Sequence, residues 1–302
     1  MNKELLNKFK EETNIPFFEN EMLSAHTTFK IGGPAEVFAN PQSKEQAASA
    51  VKFCNENGIK LFPLGKGSNL LVSDEGAGGI VLHFGKEMSK ISLLDDEIIY
   101  CEAGASLAKL CSFALENSLT GLEFAYGIPG SVGGAVFMNA GAYGGEIKDV
   151  ICYAEHIDEN GDFGRFEGDN LEMSYRHSVY SNKKYIITAA AFRLKRGSKE
   201  EIKAKMDELL AKRFDKQPMD KPSAGSTFKR PEGAFASALI DQCGLKGFTV
   251  GGAQVSEKHA GFVINKGGAT CADVLELIKQ VREKVKAETG FVLEPEVEIL
   301  SR

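Results

Sequence analysis

The side chains best suited to catalysis fall in two short segments in the last third of the 302-residue chain. Residues 225–230 (Gly-Ser-Thr-Phe-Lys-Arg) place Ser226 after a glycine and close to two cations, and residues 293–297 (Leu-Glu-Pro-Glu-Val) supply carboxylates. A hydroxyl near cations can donate a proton, and a carboxylate can hold a proton or orient a neighbouring group. Taken alone, the residues favour plainer interpretations: a helix N-cap at Ser226 and a solvated strand face for the glutamates.

A third segment, residues 174–178 (Ser-Tyr-Arg-His-Ser), centres on Arg176. Arginine suits a planar carboxylate or a developing enolate, because its guanidinium donates two parallel hydrogen bonds in a fixed fork. On its own, the segment fits an ordinary surface arginine better. The chain contains no Gly-x-Ser-x-Gly elbow, so serine hydrolase chemistry has no support.

A short glycine-rich loop, residues 65–69 (Gly-Lys-Gly-Ser-Asn), follows an apolar run. Successive backbone N–H groups in such a loop can form a concave site for an anion such as phosphate. The loop lacks the order of a P-loop, and Leu70 replaces the third glycine of a Rossmann fingerprint. An ordinary turn is the alternative, and the loop alone slightly favours it.

A second glycine-rich region is longer and carries no charge from residue 124 to residue 145. Eight of the 32 glycines of the chain lie between positions 121 and 145. The region is long enough to cross a membrane, but its glycines and Pro129 argue against a membrane helix. Because glycine lets a ligand approach the main chain closely, we predict ligand contact here in preference to a tightly packed turn.

Composition narrows the class of protein. The net charge of −6 argues against a polyanion such as nucleic acid as a partner. The six cysteines form neither a Cys-x-x-Cys pair nor a zinc-like spacing, which predicts reduced, structural thiols in a cytosolic protein. The charged N-terminus has no apolar signal region. We therefore expect a cytoplasmic protein with no membrane segment and no metal site, and the sequence leaves its oligomeric state open.

The elements that must position these segments follow from hydrophobic periodicity and capping signals. Helices are predicted at 43–58, 106–117, 198–214, 234–243 and 270–288. Strands are predicted at 61–64, 80–82, 98–101, 185–194 and 291–300. The character of the sequence changes at a polar hinge, residues 195–198, after which a charged helix is predicted. We therefore place a domain boundary near 195–200. The alternation of helices and strands predicts an α/β or α+β fold.

Together these segments identify a family resemblance that runs from about Thr27 to Val297. The chain resembles the UDP-N-acetylenolpyruvoylglucosamine reductases, which are bacterial flavoenzymes of peptidoglycan precursor synthesis. Each motif is weak by itself, but their order and spacing match the family throughout: residues 28–35 (TFKIGGPA), 64–69 (LGKGSN), 127–134 (GIPGSVGG), 139–143 (NAGAY), 175–178 (YRHS), 225–229 (GSTFK) and 293–297 (LEPEV).

The resemblance implies an α+β fold in which an FAD-binding domain precedes a smaller α+β substrate-binding domain. The first, of the vanillyl-alcohol-oxidase (PCMH) type, would span 1–196 with subdomains at about 1–90 and 91–196, and the second would span 197–302. FAD would be held non-covalently by Gly65, Lys66, Gly67, Ser68, Asn69, Ile128, Pro129, Gly130, Ser131, Gly134, Asn139 and Gly141. Substrate would contact Tyr143, Tyr175, Lys229 and, in a further pattern match at residues 251–255, Gln254.

The activity implied is the NADPH-consuming reduction of UDP-N-acetylglucosamine enolpyruvate to UDP-N-acetylmuramate. NADPH would pass a hydride to the flavin, and the flavin would pass it to the methylene carbon of the substrate. Arg176 and Glu296 would stabilise the resulting enolate, as an oxyanion site does, and Ser226 would protonate the adjacent carbon. Lys229 or Arg230 would stabilise the serine alkoxide, and the sequence does not distinguish between them.

The chain departs from the family pattern in two places. Only a short stretch separates Arg176 from the predicted strand at 185–194, so the chain resembles the shorter members that lack an inserted tyrosine loop. Glu298 stands where a basic residue often occurs, so no diphosphate contact is assigned there. Two alternatives stay open: an alcohol or sugar oxidase of the same flavin fold, and a flavin-free protein that binds a nucleotide sugar. Many such oxidases attach FAD through a histidine or cysteine near the first glycine loop, and residues 65–69 contain neither.

Overall fold

The computed structural model describes residues 1–302, and the chain divides into two compact units. Each unit is assembled from three separate stretches of chain and has its own hydrophobic core. The first unit comprises Met1–Glu19, Val37–Lys66 and Gly79–Ala211, and the second comprises Asn20–Glu36, Gly67–Gly78 and Lys212–Arg302. The predicted domain boundary at 196/197 stays a prediction. It divides the chain into two continuous domains, whereas each compact unit combines three separate stretches of chain.

Single helices are separated by runs of consecutive strands along much of the chain. The seven α-helices are α1 Lys3–Thr13, α2 Lys44–Glu56, α3 Leu107–Glu116, α4 Val132–Phe137, α5 Lys199–Lys216, α6 Ala236–Gln242 and α7 Cys271–Thr289. The strands are β1 Phe17–Met22, β2 Pro34–Ala39, β3 Leu61–Leu64, β4 Leu70–Val72, β5 Ala77–His83, β6 Ile91–Leu93, β7 Ile98–Glu102, β8 Leu119–Thr120, β9 Gly141–Ala142, β10 Gly145–Glu146, β11 Ile151–Ile157, β12 Phe163–Glu167, β13 Ile186–Arg193, β14 Lys195–Arg196, β15 Ser223–Ser226, β16 Thr249–Val250, β17 Ala253–Val255, β18 Phe262–Asn265 and β19 Glu298–Leu300.

Side-chain caps fix the starts of the predicted helices α2 and α7. The hydroxyl of Ser43 accepts a hydrogen bond from the backbone N–H of Gln46 at the start of α2. At α7, Thr270 and Asp273 form a reciprocal capping box, and the helix ends at Gly290 with φ 78°. These local signals explain why the predicted helices are confirmed to within a few residues.

The first unit is built around an antiparallel five-stranded sheet with the order β12-β11-β13-β7-β6. The central strand β13 buries every residue but the last, Arg193. Helix α4 packs against β13 and β7. A second sheet, ordered β1-β2-β5-β3, includes the parallel pairing of Leu61–Leu64 with residues 80–83. Buried aliphatic side chains of these elements form the core of the first unit.

The second unit contains an antiparallel sheet, ordered β15-β18-β17-β16, against which α7 packs. Segments that come early in the chain complete this unit. Phe29 and Leu71 lie in its core, and the carboxylate of Asp74 accepts hydrogen bonds from the backbone N–H groups of Cys271 and Ala272 at 2.8 and 3.2 Å. The local sequence around Asp74 does not predict this contact.

Two predictions about the elements are wrong. The first two residues of the predicted polar hinge at 195–198 form a paired strand, because Lys195 and Arg196 lie opposite Thr120 and Leu119 in β8. The last strand does not run from 291 to 300. It covers only Glu298–Leu300, parallel to β4, and Pro295 before it has no N–H to donate to a ladder.

Candidate active site

In the first unit, Arg176 sits at the tip of a tight turn. Ser174 and His177 exchange backbone hydrogen bonds of 3.1 and 3.2 Å, so Tyr175 and Arg176 lie between them. Arg176 has φ 53°, a conformation that side chains rarely adopt and that occurs preferentially at functional sites. Its guanidinium carbon lies 5.0 Å from the centre of the Tyr175 ring.

The predicted substrate residue Tyr143 occupies a second tight turn. Strands β9 and β10 form a hairpin in which Ala142 pairs with Gly145. The two residues between them, Tyr143 and Gly144, have φ 54° and 89°, as in a type I′ turn. Tyr143 is 45% exposed at the tip of this hairpin, so its side chain is available to a ligand.

Asn139, predicted to bind FAD, is fully buried and has φ 43°. Its amide nitrogen donates to Glu146 Oε2 at 3.0 Å and to the carbonyl oxygen of Ser174 at 2.9 Å. Its amide oxygen accepts from the backbone N–H of Lys148 at 2.9 Å. Both amide protons are therefore committed to protein acceptors. The predicted contact of Asn139 with FAD stays a prediction, and it has no side-chain proton left to use.

The first glycine loop meets the second glycine-rich region at Ser131. A Cβ at Gly65 would collide with the hydroxyl oxygen of Ser131. That same hydroxyl caps α4 by accepting from the backbone N–H of Gly134 at 3.4 Å. Ile128, Pro129 and Gly130 form the tight turn before the helix, since the N–H of Gly130 donates to the carbonyl oxygen of Ile128 at 2.8 Å. The structure thus brings together two of the segments predicted to bind FAD.

Gly134 tests whether this region fits FAD. A Cβ at Gly133 would lie 2.9 Å from the Cβ of Ala103, so packing alone explains that glycine. A Cβ at Gly134 would meet only the Ser131 hydroxyl, at an ordinary 3.5 Å. Glycine inside a helix costs about 1 kcal/mol relative to alanine. Since neither packing nor backbone conformation requires Gly134, the open space beside it fits a ligand that lies against the main chain.

The other predicted glycines have explanations inside the protein. A Cβ at Gly141 would lie 2.7 Å from Cγ of Glu146. Gly67 is buried with φ 57°, and a Cβ there would collide with the carbonyl oxygen of His26. Lys66 is exposed, and Ser68 lies in the turn before β4. FAD contacts by these residues stay predictions.

In the second unit, the two segments that carry Ser226 and Glu296 lie side by side. The backbone N–H of Glu296 donates to the carbonyl oxygen of Thr227 at 2.8 Å, and the N–H of Lys229 donates to that of Glu294 at 2.8 Å. An antiparallel bridge joins the residues between them. Residues almost seventy positions apart in sequence are therefore held together by backbone hydrogen bonds.

Ser226 ends strand β15 and is not a helix N-cap, so that interpretation is wrong. Gly225 before it has φ 76° with open space where a Cβ would lie. Thr227 after it is buried, and its hydroxyl accepts from the backbone N–H of Val263 at 3.0 Å. The serine is thus presented between a turn and an anchored neighbour.

Asn69 of the first glycine loop contacts the catalytic candidate Glu296 through the backbone. Its amide nitrogen donates to the carbonyl oxygen of Glu296 at 3.0 Å, and its own carbonyl oxygen accepts from Glu298 at 3.0 Å. Sequence reasoning assigned Asn69 to FAD and missed this role. A polar residue in a loop gives no signal for a partner 227 positions away.

The cations near Ser226 have other partners. Lys229 Nζ lies 3.7 Å from a carboxylate oxygen of Glu294, and the guanidinium carbon of Arg230 lies 3.9 Å from the centre of the Phe235 ring. The structure therefore gives Lys229 an exposed carboxylate partner and Arg230 an aromatic one. A substrate contact by Lys229 stays a prediction.

Gln254 and the neighbouring glycines Gly251 and Gly252 have close contacts inside the protein. The buried Gln254 amide nitrogen donates to the carbonyl oxygen of Gly247 and to the hydroxyl of Thr249, at 3.0 and 3.1 Å. Gly251 has φ 53° beside the carboxylate of Asp273, and a Cβ at Gly252 would lie 2.5 Å from the backbone nitrogen of Ala269. The predicted substrate contact of Gln254 stays a prediction.

Charge is concentrated around Glu146. Its carboxylate accepts from Lys148 Nζ at 2.8 Å and from the Asn139 amide. The Lys148 hydrogen bond, the Asn139 hydrogen bond and the positive charges of Lys148 and Arg176 hold the pKa of Glu146 below its usual value, against a smaller opposing effect of burial. Glu146 is therefore ionised at neutral pH.

The remaining titratable groups point to no second site. All six cysteines are free, and burial raises the pKa of Cys54 to about 12, which keeps that thiol protonated and inert. No group of three or more histidine, cysteine, aspartate or glutamate side chains is arranged to hold a metal ion. None of the helices has the length and apolar character needed to span a membrane.

Two family models match separate parts of the chain. A model described as an FAD binding domain matches residues 35–166. A model described as the C-terminal domain of UDP-N-acetylenolpyruvoylglucosamine reductase matches residues 217–300. The first range contains the second glycine-rich region, and the second contains Ser226 and Glu296.

Curated relatives match over nearly the whole chain. The UDP-N-acetylenolpyruvoylglucosamine reductase of Agathobacter rectalis is 48% identical, over 99% of this chain and 99% of the relative. That of Lachnoclostridium phytofermentans is 50% identical, over 93% of this chain and 92% of the relative.

Two solved structures match the chain to different extents. The crystal structure of the UDP-N-acetylenolpyruvylglucosamine reductase of Thermus caldophilus, at 36% identity, has a TM-score of 0.81 and covers 95% of this chain and 99% of that chain. A Phl p 4 variant described as a glucose oxidase, 14% identical with a TM-score of 0.50, covers 65% of this chain and 45% of that chain and shares the fold alone. The predicted α+β fold of the vanillyl-alcohol-oxidase (PCMH) type is confirmed.

Proposed function

The chain belongs to the UDP-N-acetylenolpyruvoylglucosamine reductase family, and on this premise we propose that Ser226, Arg176 and Glu296 act on the enolpyruvyl group of its substrate. The protein is an FAD-dependent oxidoreductase that reduces UDP-N-acetylglucosamine enolpyruvate to UDP-N-acetylmuramate, a precursor of peptidoglycan. NADPH is the proposed hydride donor.

The reaction adds a hydride to the methylene carbon of the enolpyruvyl group and a proton to the adjacent carbon. FAD, when bound, supplies the hydride that it has taken from NADPH. As the hydride arrives, negative charge develops on the substrate carboxylate. Arg176 donates two parallel hydrogen bonds to these oxygens, and a protonated Glu296 adds a third donor. Ser226 gives its hydroxyl proton to the carbon, which leaves the charge on the serine oxygen.

The observation that carries the proposal is the pairing of residues 227–229 with residues 294–296. The hydrogen bond from the N–H of Glu296 to the carbonyl oxygen of Thr227 holds a carboxyl group beside the residue that follows Ser226. Main-chain contacts thus join the two segments that carry the proposed proton donor and the proposed charge stabiliser. Such preorganisation is what makes hydrogen-bond donors effective toward a developing charge.

Two glycines of the first unit support the proposed binding of FAD. Gly134 leaves its main chain open where a Cβ would otherwise lie, and Gly65 contacts Ser131 closely. These features favour a flat ligand held by backbone. With no histidine or cysteine in residues 65–69, we propose that FAD is bound non-covalently.

We also propose that the protein acts in the cytoplasm on small molecules, with neither a nucleic acid nor a membrane as a partner. Six free cysteines fit a reducing compartment. The net charge of −6 does not favour a polyanion.

The test is a visible absorption spectrum of the purified protein, followed by anaerobic additions. We expect a flavin absorption band that NADPH bleaches and that the enolpyruvyl substrate restores. After acid precipitation of the protein, the flavin should stay in the soluble fraction. A band that stays with acid-precipitated protein and is bleached by an alcohol or sugar would instead indicate an oxidase. Protein without any visible band would favour a flavin-free nucleotide-sugar binding protein.

A further inference from the structure

We propose that Glu146 and Asn139 are positioning residues that hold Arg176 in its catalytic conformation. The inference rests on the proposed role of Arg176 and extends it to two side chains that do not themselves touch the reacting atoms. All the contacts that support it lie within the first unit.

The turn that presents Arg176 needs an external support. Ser174 and His177 close it by mutual backbone hydrogen bonds, but Arg176 has φ 53°. A side chain in this region is strained, and such a conformation persists only where surrounding contacts determine it. Asn139 supplies one of these contacts, because its amide nitrogen donates to the carbonyl oxygen of Ser174 at 2.9 Å.

Asn139 can make this contact in only one orientation. Its amide nitrogen faces two acceptors, Ser174 and Glu146, while its amide oxygen faces the backbone N–H of Lys148. Rotating the amide by half a turn would place an oxygen against two oxygens and two protons against a donor. The network therefore fixes Asn139, and Asn139 fixes the start of the turn.

Glu146 holds Asn139 and adds a charge. Its carboxylate accepts from the Asn139 amide at 3.0 Å and from Lys148 Nζ at 2.8 Å, and it also accepts from the backbone N–H of Asp149. Its negative charge interacts favourably with the guanidinium of Arg176. Hydrogen bonding and charge thus act in the same direction on the arginine turn.

A small displacement of this turn would slow reduction of the enolpyruvyl substrate more than hydride transfer from NADPH. The arginine fork stabilises the enolate only when both donors point along the carboxylate oxygens. Misplacement of about 1 Å can cost about a hundredfold in rate. Hydride transfer from NADPH requires no enolate, so it depends far less on the position of Arg176.

The test follows the flavin band of the holoenzyme by stopped flow, measuring bleaching by NADPH and recovery with the enolpyruvyl substrate separately. In Glu146→Ala we expect recovery to slow about tenfold or more, with bleaching and FAD content unchanged. Glu146→Gln, which keeps an acceptor but loses the charge, should slow recovery less. Asn139→Asp keeps the shape of the side chain but turns an acceptor toward two acceptors, so its recovery should be slower still.

Glu167→Ala is the matched control. Glu167 pairs with Arg165 at 3.1 Å on the edge strand β12 of the same unit, and its removal should leave both steps at the wild-type rate. If Glu146→Ala failed to fold, Glu146→Gln would take its place, because the amide occupies the same volume.

A double-mutant cycle separates positioning from general loss of structure. Once Arg176 is replaced by alanine, removing Glu146 should have little further effect on recovery, because Glu146 acts through the arginine. Slow recovery in Arg176→Ala with wild-type recovery in Glu146→Ala would overturn the inference and leave the role of Arg176 intact. Independent, multiplying losses in the double variant would also overturn it. Wild-type recovery in Arg176→Ala would overturn the proposed role of Arg176 itself.

Discussion

The arginine turn of the first unit and the paired segments of the second unit present catalytic candidates in opposite ways. Arg176 stands on a strained turn supported by side chains, of which Asn139 is fully buried. Ser226 and Glu296 stand on extended segments that are joined by backbone hydrogen bonds. The first arrangement depends on the identity of its neighbours, whereas the second depends mainly on the path of the main chain.

This difference indicates where each unit tolerates substitution. Backbone pairing survives the loss of most side chains, because the main-chain donors and acceptors stay in place. A polar side-chain network loses more, since each member satisfies several others. We therefore expect the exposed Glu294 near Glu296 to be replaceable, and Asn139 and Glu146 near Arg176 to be sensitive.

A large effect in the second unit is expected at Glu296. Glu296→Ala should keep the backbone hydrogen bond to Thr227 and still slow flavin recovery about a hundredfold, because it removes the side-chain donor proposed for the oxyanion site. Stopped-flow recovery with the enolpyruvyl substrate measures it. Recovery at the wild-type rate would remove Glu296 from the mechanism.

An intermediate effect is expected at Gly134, where one substitution should raise the stability of the apoprotein and lower its affinity for FAD. Gly134→Ala should stabilise the FAD-free protein by up to about 1 kcal/mol through helix propensity, because a Cβ there meets only the Ser131 hydroxyl at 3.5 Å. The same methyl group should weaken FAD binding by filling the space proposed for the ligand. Thermal unfolding of apoprotein and fluorescence titration with FAD measure the two.

Gly133→Ala is the control for that experiment. Its Cβ would lie 2.9 Å from the Cβ of Ala103, so it should destabilise the apoprotein. Unchanged FAD affinity in Gly134→Ala would mean that the open space beside Gly134 does not hold the cofactor.

The smallest effect is expected at Glu294, the matched neighbour of Glu296. Its ion pair with Lys229 spans 3.7 Å, and the two side chains are 71% and 46% exposed. Exposed pairs contribute less than about 1 kcal/mol. Glu294→Ala should therefore shift the midpoint of urea unfolding only slightly, while its backbone oxygen still accepts from Lys229. A loss of stability as large as that from breaking a buried ion pair would contradict the expectation that this side chain contributes little.

Local signals in the sequence were sufficient for the five predicted helices and for four of the five predicted strands. The caps at Ser43 and Thr270 act on the next three residues, so a linear reading finds them. The last strand was predicted too long because Val292, Val297 and Ile299 suggest a continuous ladder. Pro295 interrupts that ladder, and only Glu298–Leu300 pairs with β4.

The parts of the site that could not be predicted depend on distant partners. Asn69 and Glu296 are 227 positions apart, and Asp74 reaches Cys271 across 197 positions. The FAD contact that the resemblance implies for Asn139 stays a prediction, and no local signal pointed to the hydrogen bond of its side chain with the carbonyl oxygen of Ser174. In each case the three-dimensional fold sets the partner, and the neighbouring sequence does not reveal it.

The central claim is that Ser226 delivers the proton after hydride transfer, and one measurement tests it most directly. Anaerobic stopped flow of Ser226→Ala, with Ser223→Ala at the start of the same strand as control, follows flavin bleaching and recovery separately. We predict bleaching by NADPH at the wild-type rate and recovery with the enolpyruvyl substrate slowed at least about a hundredfold. Recovery of Ser226→Ala at the rate of the Ser223→Ala control would contradict the account.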